Sequence, residues 1–173
     1  RKKKGSTVIL TSRGCPMKCS YCAVGSSGLK YRRRSVESVL CEIDRAVNQY
    51  NAGFADFEDE NLTLDRKWFL RLLHGMKTHF ADSEIELRAM NGLFPPSLDE
   101  EMIRMMKTAG FKTLNLSIGS TCESQLRRFR RPDVRAAADR VIRLAEKYGL
   151  DVVCYIIAAA PGQQAETSLA DLR

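Results

Sequence analysis

The chain has 173 residues, of which 44% are hydrophobic and 28% charged, and its net charge is +7. That is long enough for one domain with a real core, and the composition is that of a globular chain, not a disordered or fibrous one. The longest apolar run, Val152 to Ala160, is too short to cross a bilayer, and the basic N-terminus lacks the apolar stretch of a secretion signal.

In chain order, residues 1–6 read as a basic linker, Arg1-Lys2-Lys3-Lys4 ending in Gly5, and residues 7–173 as one domain. Thr7 to Thr11 is a short β-branched run, predicted as a buried strand. A cysteine loop follows, then the Gly- and Ser-rich Gly25 to Lys30. Ser35 is a candidate N-cap, and Val36, Val39, Leu40, Ile43, Val47 and Tyr50 recur at helical spacing, with Gly53 as the left-handed stop. Phe54 to Phe57 reads as the next strand, ending in the acidic Glu58-Asp59-Glu60. The cycle repeats. Asp65 caps a helix carrying Trp68, Phe69, Leu72, Leu73 and Met76, and Glu84 to Ala89 alternates as a strand. Asp99 opens a helix carrying Met102, Ile103, Met106 and Ala109, closed by Gly110, and Phe111 to Ser117 is a fourth strand. Pro132-Asp133 introduces a helix with Val134, Ala138, Val141, Ile142, Ala145 and Tyr148 inward, stopped by Gly149. Leu150 to Ile157 is a fifth strand. The last residues, Leu169 to Arg173, lie inside an amphipathic helical pattern, and no Met begins the chain, so the sequence reads as a piece of a longer protein.

Strands alternating with helices over short links predict parallel strands with right-handed crossovers. An open doubly wound sheet or a (β/α) barrel fits. A full eight-fold barrel needs roughly 250 residues, so the chain could supply only part of one.

The six cysteines are not spread like a disulfide framework. Cys15, Cys19 and Cys22 sit together in the spacing C-x3-C-x2-C; Cys41, Cys122 and Cys154 are scattered, with Cys154 expected to be buried in mid-strand. One cluster plus single thiols is the pattern of a reducing compartment, so a cytoplasmic location is expected. A structural zinc wants four ligands, and neither His74 nor His79 has a sequence reason to be the fourth. Three buried structural thiols within a polar loop are improbable packing. Iron–sulfur clusters take cysteine thiolates, and a Gly14-Cys15-Pro16 turn past a strand can aim backbone N–H groups at an anionic cluster. Three cysteines on a four-iron cubane leave one iron open, which argues for chemistry over electron storage. The basic runs Arg32-Arg33-Arg34, Arg127-Arg128 and Arg130-Arg131 suit nucleic acid, a small anionic substrate, or a plain solvated surface.

The stretch from Arg13 to Ala23 resembles the radical S-adenosylmethionine (SAM) enzymes, whose signature is C-x3-C-x2-C with an aromatic residue before the third cysteine, here Tyr21. Tyr31 to Glu37, Phe57 to Thr63, Leu114 to Ser120 and the late Pro161-Gly162 resemble further blocks of that family, in order, along nearly the whole chain. The resemblance implies an α/β fold, a partial (β/α)6 TIM-like barrel truncated here to about five β/α units, with the site at the C-terminal mouth of the strands. It implies that Cys15, Cys19 and Cys22 hold a 4Fe–4S cluster whose open iron takes the methionine part of SAM. It implies reductive cleavage of SAM to a 5′-deoxyadenosyl radical that abstracts hydrogen from a substrate.

By the same resemblance, Tyr21 lies near the adenine. The acidic run receives the SAM amino group, with Glu58 or Asp59 favoured. Ser117 faces the ribose or methionine part, Arg131 the carboxylate, and Ile156 and Ile157 the adenine side. Two positions depart from the family pattern: Gly119 stands where Glu is common, and Ala158-Ala159-Ala160 lacks a Gly before the late Pro-Gly. The lead-in and the blocks at Tyr31 and Phe57 are similar to the cobalamin-dependent branch, which implies cobalamin on a domain outside this chain, a ferredoxin or flavodoxin as reductant, and a small-molecule substrate for methyl transfer or rearrangement. The alternatives are an RNA-modifying, methylthiotransferase-like enzyme and a non-catalytic iron–sulfur module.

Overall fold

The computed structural model describes residues 5–80, 83 and 85–172. The basic residues 1–4 and Glu84, the expected start of the third long strand, lie outside the described residues. The elements in order are β1 (Gly5–Ile9), β2 (Ser12–Arg13), α1 (Ala23–Ser26), β3 (Arg32–Arg33), α2 (Val36–Gln49), β4 (Ala52–Phe57), α3 (Arg66–His79), β5 (Glu86–Arg88), a 3-10 turn (Pro95–Ser97), α4 (Glu100–Ala109), β6 (Thr113–Gly119), α5 (Glu123–Arg128), α6 (Arg135–Lys147), β7 (Asp151–Ile156) and α7 (Ala165–Asp171).

The long helices start where capping chemistry puts them. Ser35 accepts from Ser38 N at 3.2 Å, Asp65 from Trp68 N at 3.0 Å and Asp99 from Met102 N at 2.9 Å. Each such cap contributes ~1 kcal/mol. Gly110 and Gly149 end α4 and α6 at φ +116 and +64. The left-handed residue after α2 is Asn51, at φ +56, and not the expected Gly53, which lies inside β4. Asn tolerates that conformation because its short polar side chain can bond locally. β1 begins at Gly5, so residues 5 and 6, expected in the linker, belong to the strand. Gly5 donates to Asn51 O at 3.1 Å, and a Cβ there would sit 2.9 Å from Tyr50 O.

The long strands are parallel and ordered as in the sequence. β1 pairs with β4 and β4 with β5; β6 pairs with β7; single bridges, Leu87 to Phe111 and Leu93 to Leu116, join the two groups. This is an open arc of five β/α units, the partial barrel expected. Its outer face carries the core. Ile9, Ala55, Phe57, Leu87, Leu114 and Leu116 are buried against the apolar faces of α2, α3, α4 and α6. Phe57 and Phe111 stack at 6.2 Å, tying β4 to the segment entering β6. The alternate residues form the inner face, in rows set by the parallel register: Val8, Asp56 and Arg88 in one, Ser117 and Tyr155 in another.

Four expectations about burial fail, and each failure has a geometric reason. The strand expected to be buried from Thr7 to Thr11 is buried on one face only: Ile9 and Thr11 are covered, while Val8 and Leu10 alternate to the open side. Tyr50 is 71% exposed because it stands at the C-cap of α2, past the last residue of the helix. Ile142 is 40% exposed, at the rim of the α6 apolar stripe. Cys154 is exposed because, among the described residues, nothing pairs with the second edge of β7.

Candidate active site at the strand mouth

The first strand delivers the cysteine loop, and two features absent from any periodicity hold that loop in place. Ser12 and Arg13 pair antiparallel with Arg33 and Arg32, making a two-residue ribbon that closes the loop at its base. Gly14 turns at φ +81, where an added Cβ would meet Leu29 O at 3.0 Å. At the far side Ser20 N donates to Phe129 O at 2.9 Å and Ser20 Oγ to Arg128 O at 2.9 Å. The loop is thus pinned to the segment after α5, on the other side of the arc.

Cys15, Cys19 and Cys22 line one cavity of ≈ 220 Å³, together with Tyr21, Glu60, Asn61, Ser117 and Arg131. The cysteines, Glu60 and Asn61 follow strands, Ser117 lies near the end of β6 and Arg131 follows α5, so the cavity sits at the C-terminal mouth where barrel sites form. Among the described residues no three His, Cys, Asp or Glu side chains close on a point suited to a single ion. Thiolates spread around a volume suit a polynuclear cluster, whereas a tetrahedral zinc needs convergence.

The polar atoms of the cavity are unevenly satisfied. Glu60 Oε2 and Asn61 Oδ1 are buried without a hydrogen-bond partner. Asn61 Nδ2 lies 4.0 Å from both Cys15 Sγ and Met17 Sδ. Unpartnered buried acceptors are costly unless a donor fills them. Both acceptors belong to residues that line the cavity. Across the cavity Arg131 is 8% exposed and acts as a brace. Its Nε donates to Ile118 O at 3.1 Å, Nη1 to Tyr21 Oη at 3.1 Å, and Nη2 to Ser117 O and, at 3.2 Å, to Ser117 Oγ. A guanidinium has five N–H donors, so one Nη1–H is left for a ligand. Tyr21 packs edge-on against Phe129 at 5.0 Å, and burial pushes its phenol up against the opposing pull of Arg131, keeping it a neutral donor.

Gly119 now has an account. It stands at φ +85 in a bulge of β6, and an added Cβ would press on Arg131 Cδ at 3.2 Å. A longer residue there would displace the brace. Gly92, at φ +98, plays a similar part, with Ser117 Cβ 3.1 Å from where its own Cβ would be. The Asn91-Gly92 pair is a turn signal that points to this position in the sequence.

Of the residues expected at the site, the structure gathers Cys15, Cys19, Cys22, Tyr21, Ser117 and Arg131. It does not bring Glu58, Asp59 or Ile157 to the cavity. Asp59 is 2% exposed, and its carboxylate is filled by Thr11 N at 3.1 Å, Thr11 Oγ1 at 2.6 Å and Ser12 Oγ. It anchors the start of the cysteine loop. Ile157 lies past β7, its amide donating to Gly119 O at 2.8 Å. Glu60 and Asn61 take the place in the cavity expected of Glu58 or Asp59. An Asp59→Asn change is therefore expected to lower stability by ~1–3 kcal/mol, whereas Glu60→Gln, at a side chain whose Oε2 has no partner in the fold, is expected to leave the unfolding midpoint near wild type. Thermal melts separate the two.

Glu58 has a different partner. Burial, and then the negative charge of Asp56 with which it shares a hydrogen bond, push its carboxyl above the usual range. Met90 N holds Asp56 at 3.1 Å. A raised folded-state value means that the folded protein binds the proton more tightly than the unfolded chain. Glu58 therefore contributes stability in acid that is lost as pH rises from its ordinary value through the raised one. Glu58→Gln is expected to flatten that part of the stability profile and to raise the melting midpoint at neutral pH relative to wild type, with little difference at pH 4. Melts across pH check it.

A parallel β/α arc with a three-cysteine cavity at its strand mouth defines a cluster-type site on a partial barrel. The sequence pattern of the radical SAM superfamily matches residues 9–172, and the chain belongs to that superfamily. Among curated proteins it is 24% identical, over 90% of its length, to the anaerobic magnesium-protoporphyrin IX monomethyl ester cyclase of Cereibacter sphaeroides, covering 26% of that protein. It is 26% identical, over 88% of its length, to the cytidylyl-2-hydroxyethylphosphonate methyltransferase of Streptomyces wedmorensis, covering 28% of it. The chain thus spans between a quarter and a third of the length of these relatives. In fold it superposes on the radical SAM methyltransferase TsrM of Kitasatospora setae, solved with cobalamin and a [4Fe–4S] cluster bound, with a TM-score of 0.85, 22% identity, and coverage of 97% of this chain and 31% of that one. No described helix is long and apolar enough to cross a membrane.

Proposed function

We propose that this chain is the cluster- and SAM-binding unit of a radical SAM enzyme that works with cobalamin, carried on another part of the protein, in methyl transfer to a small-molecule substrate or in a related rearrangement. One observation carries the reading: three cysteines, a carboxylate residue with an unpartnered oxygen and an arginine line one cavity at the strand mouth. Cys15, Cys19 and Cys22 would hold a 4Fe–4S cluster. When bound and reduced, that cluster supplies the electron that splits the sulfonium carbon–sulfur bond of SAM and yields the 5′-deoxyadenosyl radical.

The chain's own residues do the positioning. Glu60 Oε2 and Asn61 Oδ1 accept from the SAM ammonium, which satisfies two atoms that otherwise stay buried and bare. Arg131 offers its free N–H to the SAM carboxylate. The two ends of the amino acid are gripped from opposite walls, which fixes the sulfonium against the cysteine loop. Tyr21 and Phe94 close the sides and exclude water. The sheltered setting strengthens each of these charged contacts. The methyltransferases among its relatives, and the cobalamin in the TsrM structure, support the cobalamin-dependent branch. A ferredoxin or flavodoxin is the matching one-electron donor.

The test is anaerobic. Full-length protein reconstituted with iron and sulfide, then given SAM and a strong reductant, is expected to release 5′-deoxyadenosine. Absence of release from protein that carries its full complement of iron would overturn the reading in favour of a non-catalytic cluster module.

A further inference from the structure

A second cavity, ≈ 580 Å³, opens beside β1 and the β2–β3 ribbon, and no step proposed above uses it. Its size is that of a small-molecule site. Four arginines line it, Arg13, Arg32, Arg33 and Arg34, against one carboxylate, Glu42.

The two inner arginines are spoken for. Arg34 is bound to Glu42 at 2.5 Å, to Leu10 O at 2.9 Å and to Ser38 Oγ at 3.0 Å. Arg33 is stacked on Trp68 at 4.6 Å and reaches Leu62 O at 3.3 Å. The two outer ones have no partner among the described residues. Arg13 and Arg32 are also direct cross-strand neighbours in the ribbon. Like charges set opposite one another destabilise a strand pair. The ribbon therefore holds a repulsion that an anion between the two guanidinium groups would relieve. The floor beside them is apolar and open: Val8 is 61% exposed and Leu10 40%. Two unneutralised forks next to an apolar strip match an oxyanion of about two negative charges attached to an apolar body.

We propose that this cavity binds a phosphate monoester, its dianionic head held by Arg13 and Arg32 and its organic part laid along Val8 and Leu10. The site is distinct from the cysteine cavity, and the proposal does not rest on SAM chemistry. Arg13 joins the two spatially, since it precedes Cys15 by a single Gly14, so a monoester bound here lies at the base of the cysteine loop.

Equilibrium calorimetry on the full-length protein, without SAM or reductant, tests it. Phenyl phosphate is the probe, with inorganic phosphate and benzyl alcohol as the head-only and body-only controls and a ten-residue oligouridylate as the polymer control. Phenyl phosphate is expected to bind at least ~10-fold tighter than either small control, because head and body each add contacts. Arg13→Gln and Arg32→Gln are each expected to weaken it ~10-fold or more. Val8→Ser is expected to remove its advantage over inorganic phosphate while leaving inorganic phosphate unchanged. Arg13→Lys and Arg32→Lys, which keep the charge and the ribbon but lose the fork, guard against a folding artefact and are expected to fall between wild type and Gln. Affinity for phenyl phosphate that is unmoved by either Gln change overturns the proposal. So does an oligouridylate that binds more tightly than phenyl phosphate and depends on the same two arginines, which would make the cavity a nucleic-acid contact.

Discussion

Replacing Cys15, Cys19 and Cys22 together with alanine is expected to reduce bound iron and 5′-deoxyadenosine release to background while leaving the fold in place. The two halves of that result come from different parts of the structure. The core is built on the outer face of the strands, from Ile9, Phe57, Leu87, Leu116 and the helix residues facing them, and none of the three cysteines belongs to it. The loop's backbone anchors do not involve sulfur: the Ser12–Arg33 and Arg13–Arg32 pairs, and the Ser20 bonds to residues 128 and 129. Helical content should therefore match wild type. The thiols, by contrast, are the soft ligands the cavity offers, and nothing beside them can replace them on iron. Iron analysis, the visible absorption of the reconstituted protein and circular dichroism read the two halves separately. Loss of helix in the triple variant would mean that the loop depends on its sulfurs for folding.

The second large effect is expected at Arg131. Arg131→Met keeps the length and apolar stem of the side chain and removes the guanidinium. It strands the carbonyls of Ser117 and Ile118 in a buried setting and releases Tyr21. A loss of ~3 kcal/mol in stability is expected from the unmade charge-assisted bonds. On the proposed reading SAM affinity should drop at least ~10-fold as well, since the cavity loses its lining guanidinium. Arg131→Lys separates brace from ligand contact. It keeps a positive charge at the cavity but cannot span all four acceptors, so it should recover part of the affinity and little of the stability. Denaturant titration and SAM binding, measured on the same samples, check both.

These two sites also show what a sequence exposes and what it hides. The β/α alternation was readable because each helix carries its own cap and stripe: Ser35, Asp65 and Asp99 announce their helices by chemistry confined to one turn. The cysteines were readable because their spacing is local. Glu58-Asp59-Glu60 was not, because its three carboxylates differ only in what they meet after folding. Asp59 turns to Thr11 and Ser12, far back in the chain, Glu58 turns inward to Asp56, and Glu60 is left for the cavity. No local pattern separates those fates. The β2–β3 ribbon was invisible for another reason: two-residue strands carry no period. Arg32-Arg33-Arg34 looked like one basic run, yet the fold assigns Arg33 and Arg34 to internal contacts and leaves Arg32 outward beside Arg13. Cys154 was read as buried because mid-strand residues usually are, and only the open edge of β7 explains its exposure.

That open edge has a measurable signature in isotope exchange. Asp151 N donates to Lys112 O at 2.9 Å and Ile157 N to Gly119 O at 2.8 Å, so the odd-numbered amides of β7 turn toward β6. Those of Val152, Cys154 and Ile156 turn the other way, because successive residues of a strand point their N–H groups to opposite sides. In deuterated water the strand should exchange in alternation, slow at Val153 and Tyr155 and fast between them. A further strand laid along this edge would silence the fast amides one by one, and the exchange pattern would then report, residue by residue, how far the barrel has been completed.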